Sequence, residues 1–191
     1  PFFLEKRNFS ENLLKTMNMM LEVDVLYIKQ IEQAYLPKLR KLLYLLAVNA
    51  PCSPNVSQLS AEIGMSRATV MNYIKYLADA RLLNMLYPLG EEFPKKPSLV
   101  YMYNSNLIYP IDPEKVHDQT VRETFFFNQV EDKNLVNEGG KNAHFLVNGQ
   151  YNFRIESNKK VRDYADIYHA VDRTEIGTGN IIPLWLFGFL Y

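Results

Sequence analysis

The stretch LSAEIGMSRATVMNYIKYLADARLL, Leu59 to Leu83, constrains the fold of this chain more than any other. Leu59 and Ile63, then Val70, Ile74 and Leu77, recur at the spacing of two short amphipathic helices. Gly64 supplies the positive φ that a tight turn between them needs. Met65 plugs the corner, and small Ser60 and Ala61 permit close approach. Ser66 is placed to cap the second helix, its hydroxyl accepting from a free first-turn amide. The spacing predicts a helix–turn–helix.

The flanking sequence divides the chain into three sections: 1–50, 51–103 and 104–191. In the first, Leu13, Met17, Met20, Leu21 and Val25 predict a helix, with Ser10 as its cap. Leu39, Leu42, Leu43 and Leu46 predict another, with Pro37 tolerated in its first turn. In the second section, two apolar arms, Leu83–Leu86 and Leu99–Tyr103, flank a centre rich in Gly, Pro and charge, so a β-hairpin with a long tip is expected. Helices followed by such a hairpin make a winged helix.

The third section alternates. VRETFFFNQVEDK reads as a helix with Phe126 and Val130 inward. AHFLVNGQYNFRIE reads as two strands joined by the hairpin pair Asn148-Gly149. DIYHAVD is a short strand, and IPLWLFGFL is a strand or a closing helix. The expected class is α+β: helices and a winged helix, then a small α/β domain.

A winged helix that reads DNA presents Arg67, Ala68, Met71, Asn72 and Lys75 to the groove. Arg67 and Asn72 suit base edges, Lys75 a phosphate, and Lys95 and Lys96 extend the contact from the wing tip GEEFPKK. Charge argues the other way. The chain has 21 basic and 21 acidic residues, so it carries no general nucleic-acid coat and no polybasic membrane segment. Ala68 and Met71 are apolar, Glu62 and Asp79 lie nearby, and section 51–103 is only +1. A winged helix that spaces domains or contacts protein fits equally well.

Catalytic motifs are missing. NEGGKNA lacks the first Gly and the final Ser or Thr of a phosphate-binding loop, because Leu135 and Asn142 stand there. His117, His144 and His169 are widely separated in sequence and have no cysteine pair beside them, so no zinc site is expected. The single cysteine, Cys52, forms no intrachain disulfide and fits a reducing cytoplasm. No apolar run has the roughly 18–20 residues of a membrane span. The chain starts PFFLEKR, without an initiator Met, and reads as a fragment.

LRKLLYLLA, the Leu59–Leu83 stretch, YMYNSNLIYPI, RETFFFNQV and TEIGTGNIIPLWLFGFLY follow one another in that order. Together they resemble the C-terminal half of a large prokaryotic family of predicted AAA-type (P-loop) ATPases. In that family an ATPase core precedes a winged helix and a domain of unknown function. The resemblance covers nearly all of the chain and implies that residues 1–50 continue from an upstream core that binds ATP and magnesium. By it the chain itself holds no cofactor and no catalytic residue. Its partners are its own ATPase domain, duplex DNA, or another protein or second copy, but not a membrane. The chain is then a non-catalytic regulatory module of the ATPase. The alternative is a free-standing winged-helix transcription regulator whose last section senses a ligand or dimerises.

The resemblance also implies that section 104–191 is similar to the restriction-endonuclease-like fold. That fold places a Glu on a helix, an Asp on a strand and Glu-x-Lys on the next strand, the carboxylates holding Mg²⁺. Here Glu123 keeps the helix position, His144 replaces the Asp, and Arg154-Ile155-Glu156 replaces Glu-x-Lys. A cation and an imidazole then stand where a hard ion needs oxygen, so a degenerate, metal-free site is expected. Glu156 is either a displaced ligand, with Lys159 one residue too far, or the ion-pair partner of Arg154 on the same strand face. The plainer reading of Glu123 is a surface or capping carboxylate.

Overall fold

A computed structural model of the chain describes residues 8–158, 164 and 166–190. The fold is α+β, with helices and two separate sheets. It forms two compact units, 1–85 with 93–116 and 86–92 with 117–191. Section 1–50 and section 51–103 without residues 86–92 lie in the first unit, which extends to Val116, past Tyr103.

The first unit begins with α1, Phe9–Met20, which runs without a break into a π-helical segment, Leu21–Tyr27. The Ile28 and Ile31 amides reach back five residues, to Val23 and Leu26. Met17, Leu21 and Val25 are buried as the periodicity predicts. Ser10 does not cap this helix. Asn8 holds the cap position without a side-chain bond, and Ser10 lies inside the first turn. Then α2, Leu36–Ala47, starts with Pro37 in its first turn, where a missing N–H costs nothing. Leu39, Leu42, Leu43 and Leu46 bury its inner face.

Two further helices follow, α3, Val56–Ile63, and α4, Arg67–Asp79. Strands β1, Leu83–Leu86, and β2, Leu99–Met102, pair as the two arms of the expected hairpin. Cys52 adds an antiparallel bridge to Val100, which extends the pairing by one residue from the loop before α3. Val70, Ile74 and Leu77 dock α4 on the core, where all three are fully buried.

The second unit sets α5, Asp118–Glu131, against a five-stranded sheet. Its strands, in spatial as well as sequence order, are β3 (Val136–Glu138), β4 (Phe145–Val147), β5 (Tyr151–Glu156), β6 (Ile167–Val171) and β7 (Ile181–Pro183). The pairs β3–β4 and β4–β5 are antiparallel, and β5–β6 and β6–β7 are parallel. Asn148 (φ 54°) and Gly149 (φ 67°) turn β4 into β5, both in the left-handed region that such a tight turn requires. The closing segment is both a strand and a helix: β7 leads into a 3₁₀ helix over Leu184–Phe189. Phe126 is the centre of this core. Its ring lies 5.2 Å from Phe145, 5.1 Å from Phe153 and 4.7 Å from Phe187, joining helix, sheet and closing turn.

Candidate nucleic-acid interface and a polar cluster

The helix–turn–helix geometry follows from three residues. Gly64 takes φ 62°, ψ 53°, the left-handed cap that ends α3. The Ser66 hydroxyl accepts from the Thr69 amide at 3.1 Å and starts α4. The Ser60 hydroxyl donates to the Met65 carbonyl and closes the corner from the α3 side. Two lysines of α2 then cap α3: Lys38 donates to the Gly64 carbonyl at 2.9 Å and Lys41 to that of Glu62 at 2.8 Å. These carbonyls are among those a helix end leaves without partners.

On the outer face of α4, Arg67, Ala68 and Asn72 are exposed, and Met71 and Lys75 are half-buried. Among the described residues, Arg67 and Asn72 make no hydrogen bond or ion pair. Lys75 differs from its expected role, because Asp79 holds its ammonium at 2.5 Å. Asp79 also binds Lys29, at 2.8 Å. Burial alone would raise the Asp79 pKa, but hydrogen bonds from Lys29 and Lys75 outweigh it and hold the carboxyl below its ordinary value. At the hairpin tip Lys95 and Lys96 are exposed, and Lys96 donates to the Ser53 hydroxyl at 3.0 Å.

In the second unit the structure gathers Glu123, His144, Arg154 and Glu156 into one cluster. Glu123 is buried at 8% exposure, so it is not a surface carboxylate. Its Oε1 accepts from Gln119 Nε2 at 2.9 Å, one helical turn earlier, and lies 3.7 Å from His144 Nδ1. The same Gln119 nitrogen donates to the Ile155 carbonyl at 3.0 Å, fastening α5 to β5. His144 Nδ1 accepts the Ile155 amide at 3.1 Å, which fixes a lone pair on that nitrogen and a neutral ring. Burial pushes the His144 pKa down and Arg154 adds to this, against the opposing pull of Glu123 and Glu156.

Arg154 Nε donates to Glu156 at 2.6 Å, and its Nη1 to the Asn142 carbonyl at 3.0 Å. Of the two readings of Glu156, the ion pair is the arrangement present. Lys159 lies outside the described residues. His169 on β6 stands opposite Arg154 in the strand register and brings its Nδ1 to 3.9 Å from Glu156. Two of the three histidines, remote in sequence, thus each stand beside a carboxylate of the cluster, His144 by Glu123 and His169 by Glu156. Among the described residues, no three His, Cys, Asp or Glu side chains are arranged to hold a metal ion.

The helical section and the helix–turn–helix also go together by descent. A profile of a domain of unknown function, DUF8612, matches residues 3–107. The chain belongs to the DUF8612 family. The match runs from the helical section to just past β2 and stops before α5, so the polar cluster lies outside it. The family description assigns no activity. No curated protein and no solved structure matches the chain.

Gln119 and His169 are not singled out by the sequence as parts of the polar cluster, and Asp79 is legible there only as an acid near the groove-facing residues. Gln119 had a signal, since it sits four residues before Glu123 on a helix. His169 had none, because its place depends on strand register. Burial pushes the Cys52 thiol pKa up, which lowers its reactivity.

Proposed function

We propose that the chain is a non-catalytic nucleic-acid-contacting module. In this reading the first unit is a winged helix, and α4 enters the major groove of duplex DNA. The observation that carries it is the pair Arg67 and Asn72, exposed and without a hydrogen bond or ion pair among the described residues, in the first turns of a helix set by Gly64 and Ser66. Arg and Asn are the side chains whose donors and acceptors match guanine and adenine edges. A protein-contact face would be expected to bury an apolar anchor there, whereas Ala68 is small and Met71 is half-covered.

The second unit is read as a nuclease-like fold that does not cleave. A helix, three antiparallel strands and a fourth parallel strand support the fold reading. Arg154, ion-paired at the position of a metal-binding carboxylate, supports the loss of chemistry. Attachment to an upstream AAA-type ATPase core, with ATP and magnesium bound there, rests on the order of the sequence segments. A phosphate-binding loop encoded upstream of Pro1 tests that attachment, and its absence leaves the free-standing regulator.

Fluorescence anisotropy with a labelled duplex tests the central reading. Binding that Arg67→Ala weakens supports it. No binding in 50 mM salt, or binding indifferent to Arg67 and Asn72, overturns it.

A further inference from the structure

Asp79 sits where helix stability does not favour it. It ends α4, and a carboxylate in the last turn opposes the negative end of the helix dipole. The order Lys75 then Asp79 is also the weaker of the two four-residue ion-pair orientations. Yet this carboxylate holds two ammonium groups, Lys75 from its own helix and Lys29 from beyond the π-helical segment. Lys29 also lies 4.9 Å from the Tyr76 ring centroid, so a second contact keeps it in place. Lys75 has Asp79 alone.

The stripe Arg67, Met71, Lys75, Asp79 runs along α4 at four-residue intervals. Helical side chains lean towards the N-terminus, the direction of Arg67 and Asn72. Asp79 draws the Lys75 ammonium the other way. A depression of about 340 Å³, lined by Met20, Asp24, Ile28, Lys29, Asp79 and Arg81, opens on the Lys29 side of Asp79. Both Lys75 and Asp79 keep about a third of their side-chain surface in water. An ion pair so exposed is weak enough for another anion to compete with it.

We infer that Asp79 is an intramolecular competitor for the DNA backbone: it occupies Lys75, and neutralising it releases Lys75 to a duplex phosphate flanking the α4 contact. The inference rests on the proposed duplex binding. It accounts for a helix–turn–helix with base-reading side chains but little free positive charge. Affinity is held down by an internal carboxylate, and the salt dependence is correspondingly shallow.

The experiment measures the duplex affinity of the 191-residue chain from 50 to 300 mM salt, together with its urea stability. One released phosphate contact steepens the slope of log K against log salt by about 0.9, which is roughly eightfold tighter binding at 0.1 M. Asp79→Asn is expected to show both changes, with only the small loss of stability that partly exposed ion pairs to Lys29 and Lys75 account for. Lys75→Ala with Asp79→Asn is expected to remove the gain. Glu62→Gln, which removes a nearby acid paired with Gln58 and no lysine side chain, is expected to leave the slope unchanged. A gain that survives Lys75→Ala, or that Glu62→Gln reproduces, overturns the inference, because general charge then suffices. If the wild-type chain binds through Arg67 and Asp79→Asn changes nothing, the inference fails and duplex binding stands. If neither chain binds, both fail. If Asp79→Asn alone binds, wild-type duplex binding fails and the inference fails with it, because one released contact is worth only about eightfold.

Discussion

The lysines in and beside the helix–turn–helix are engaged within the protein: Lys38 and Lys41 of α2 on carbonyls at the end of α3, Lys75 on Asp79. Arg67 and Asn72 are the side chains of its outer face left available. Arg67→Ala is therefore expected to cost about 1–3 kcal/mol of duplex binding, with selectivity relaxed at one base pair, as read by competition between duplexes. Folding stability should stay unchanged, because the exposed side chain makes no hydrogen bond or ion pair among the described residues. In the second unit, His144 gives a pH prediction. Its folded pKa lies below the ordinary value of about 6.5, so the unfolded chain takes up the proton first. Its contribution to stability is thus full above that value and is lost as pH falls towards the folded pKa. Urea unfolding should show stability declining below about pH 6.5, and His144→Gln should flatten that decline. An unchanged profile would remove His144 from the account.

At the scale of elements, the local signals were legible because each acts within one turn. Gly64 and Ser66 mark the corner and the cap, and Asn148-Gly149 marks the β4–β5 turn. Gly64→Ala has room for its methyl, since the nearest atom is Lys38 Nζ at 3.9 Å, so its cost is conformational. It should lower stability by about 1–2 kcal/mol in chemical denaturation. Phe126→Ala, which removes the ring shared by α5, the sheet and the closing 3₁₀ helix, should cost about 3–5 kcal/mol. What the sequence did not make legible depends on distant pairing. Lys29 and Asp79 are fifty residues apart, as are Arg122 and Asp172, whose 2.9 Å ion pair ties α5 to the end of β6. His169 faces Glu156 only because β6 lies parallel to β5. Glu123 looked like a surface carboxylate because an inward position on α5 needs the sheet before it becomes inward. Ser10 misled for the opposite reason: the cap position of α1 falls on Asn8, two residues before Ser10.

At the scale of the whole molecule, the family match covers residues 3–107, and α5 with the five-stranded sheet lies outside it. The expected α+β class holds, and section 1–50 shares a unit with most of section 51–103. With Arg154 paired to Glu156 and His144 against Glu123, the second unit is expected to leave supercoiled DNA intact in Mg²⁺ or Mn²⁺, as a gel assay would show. Divalent-ion-dependent nicking abolished by Glu123→Ala would contradict the non-cleaving reading. The most direct test of the central claim is duplex anisotropy for the wild-type chain beside Arg67→Ala/Asn72→Ala, at low and moderate salt. The account predicts saturable binding with a shallow salt slope, lost in the double variant while its folding is intact. Equal affinity of the two proteins, or no binding by either, would contradict it.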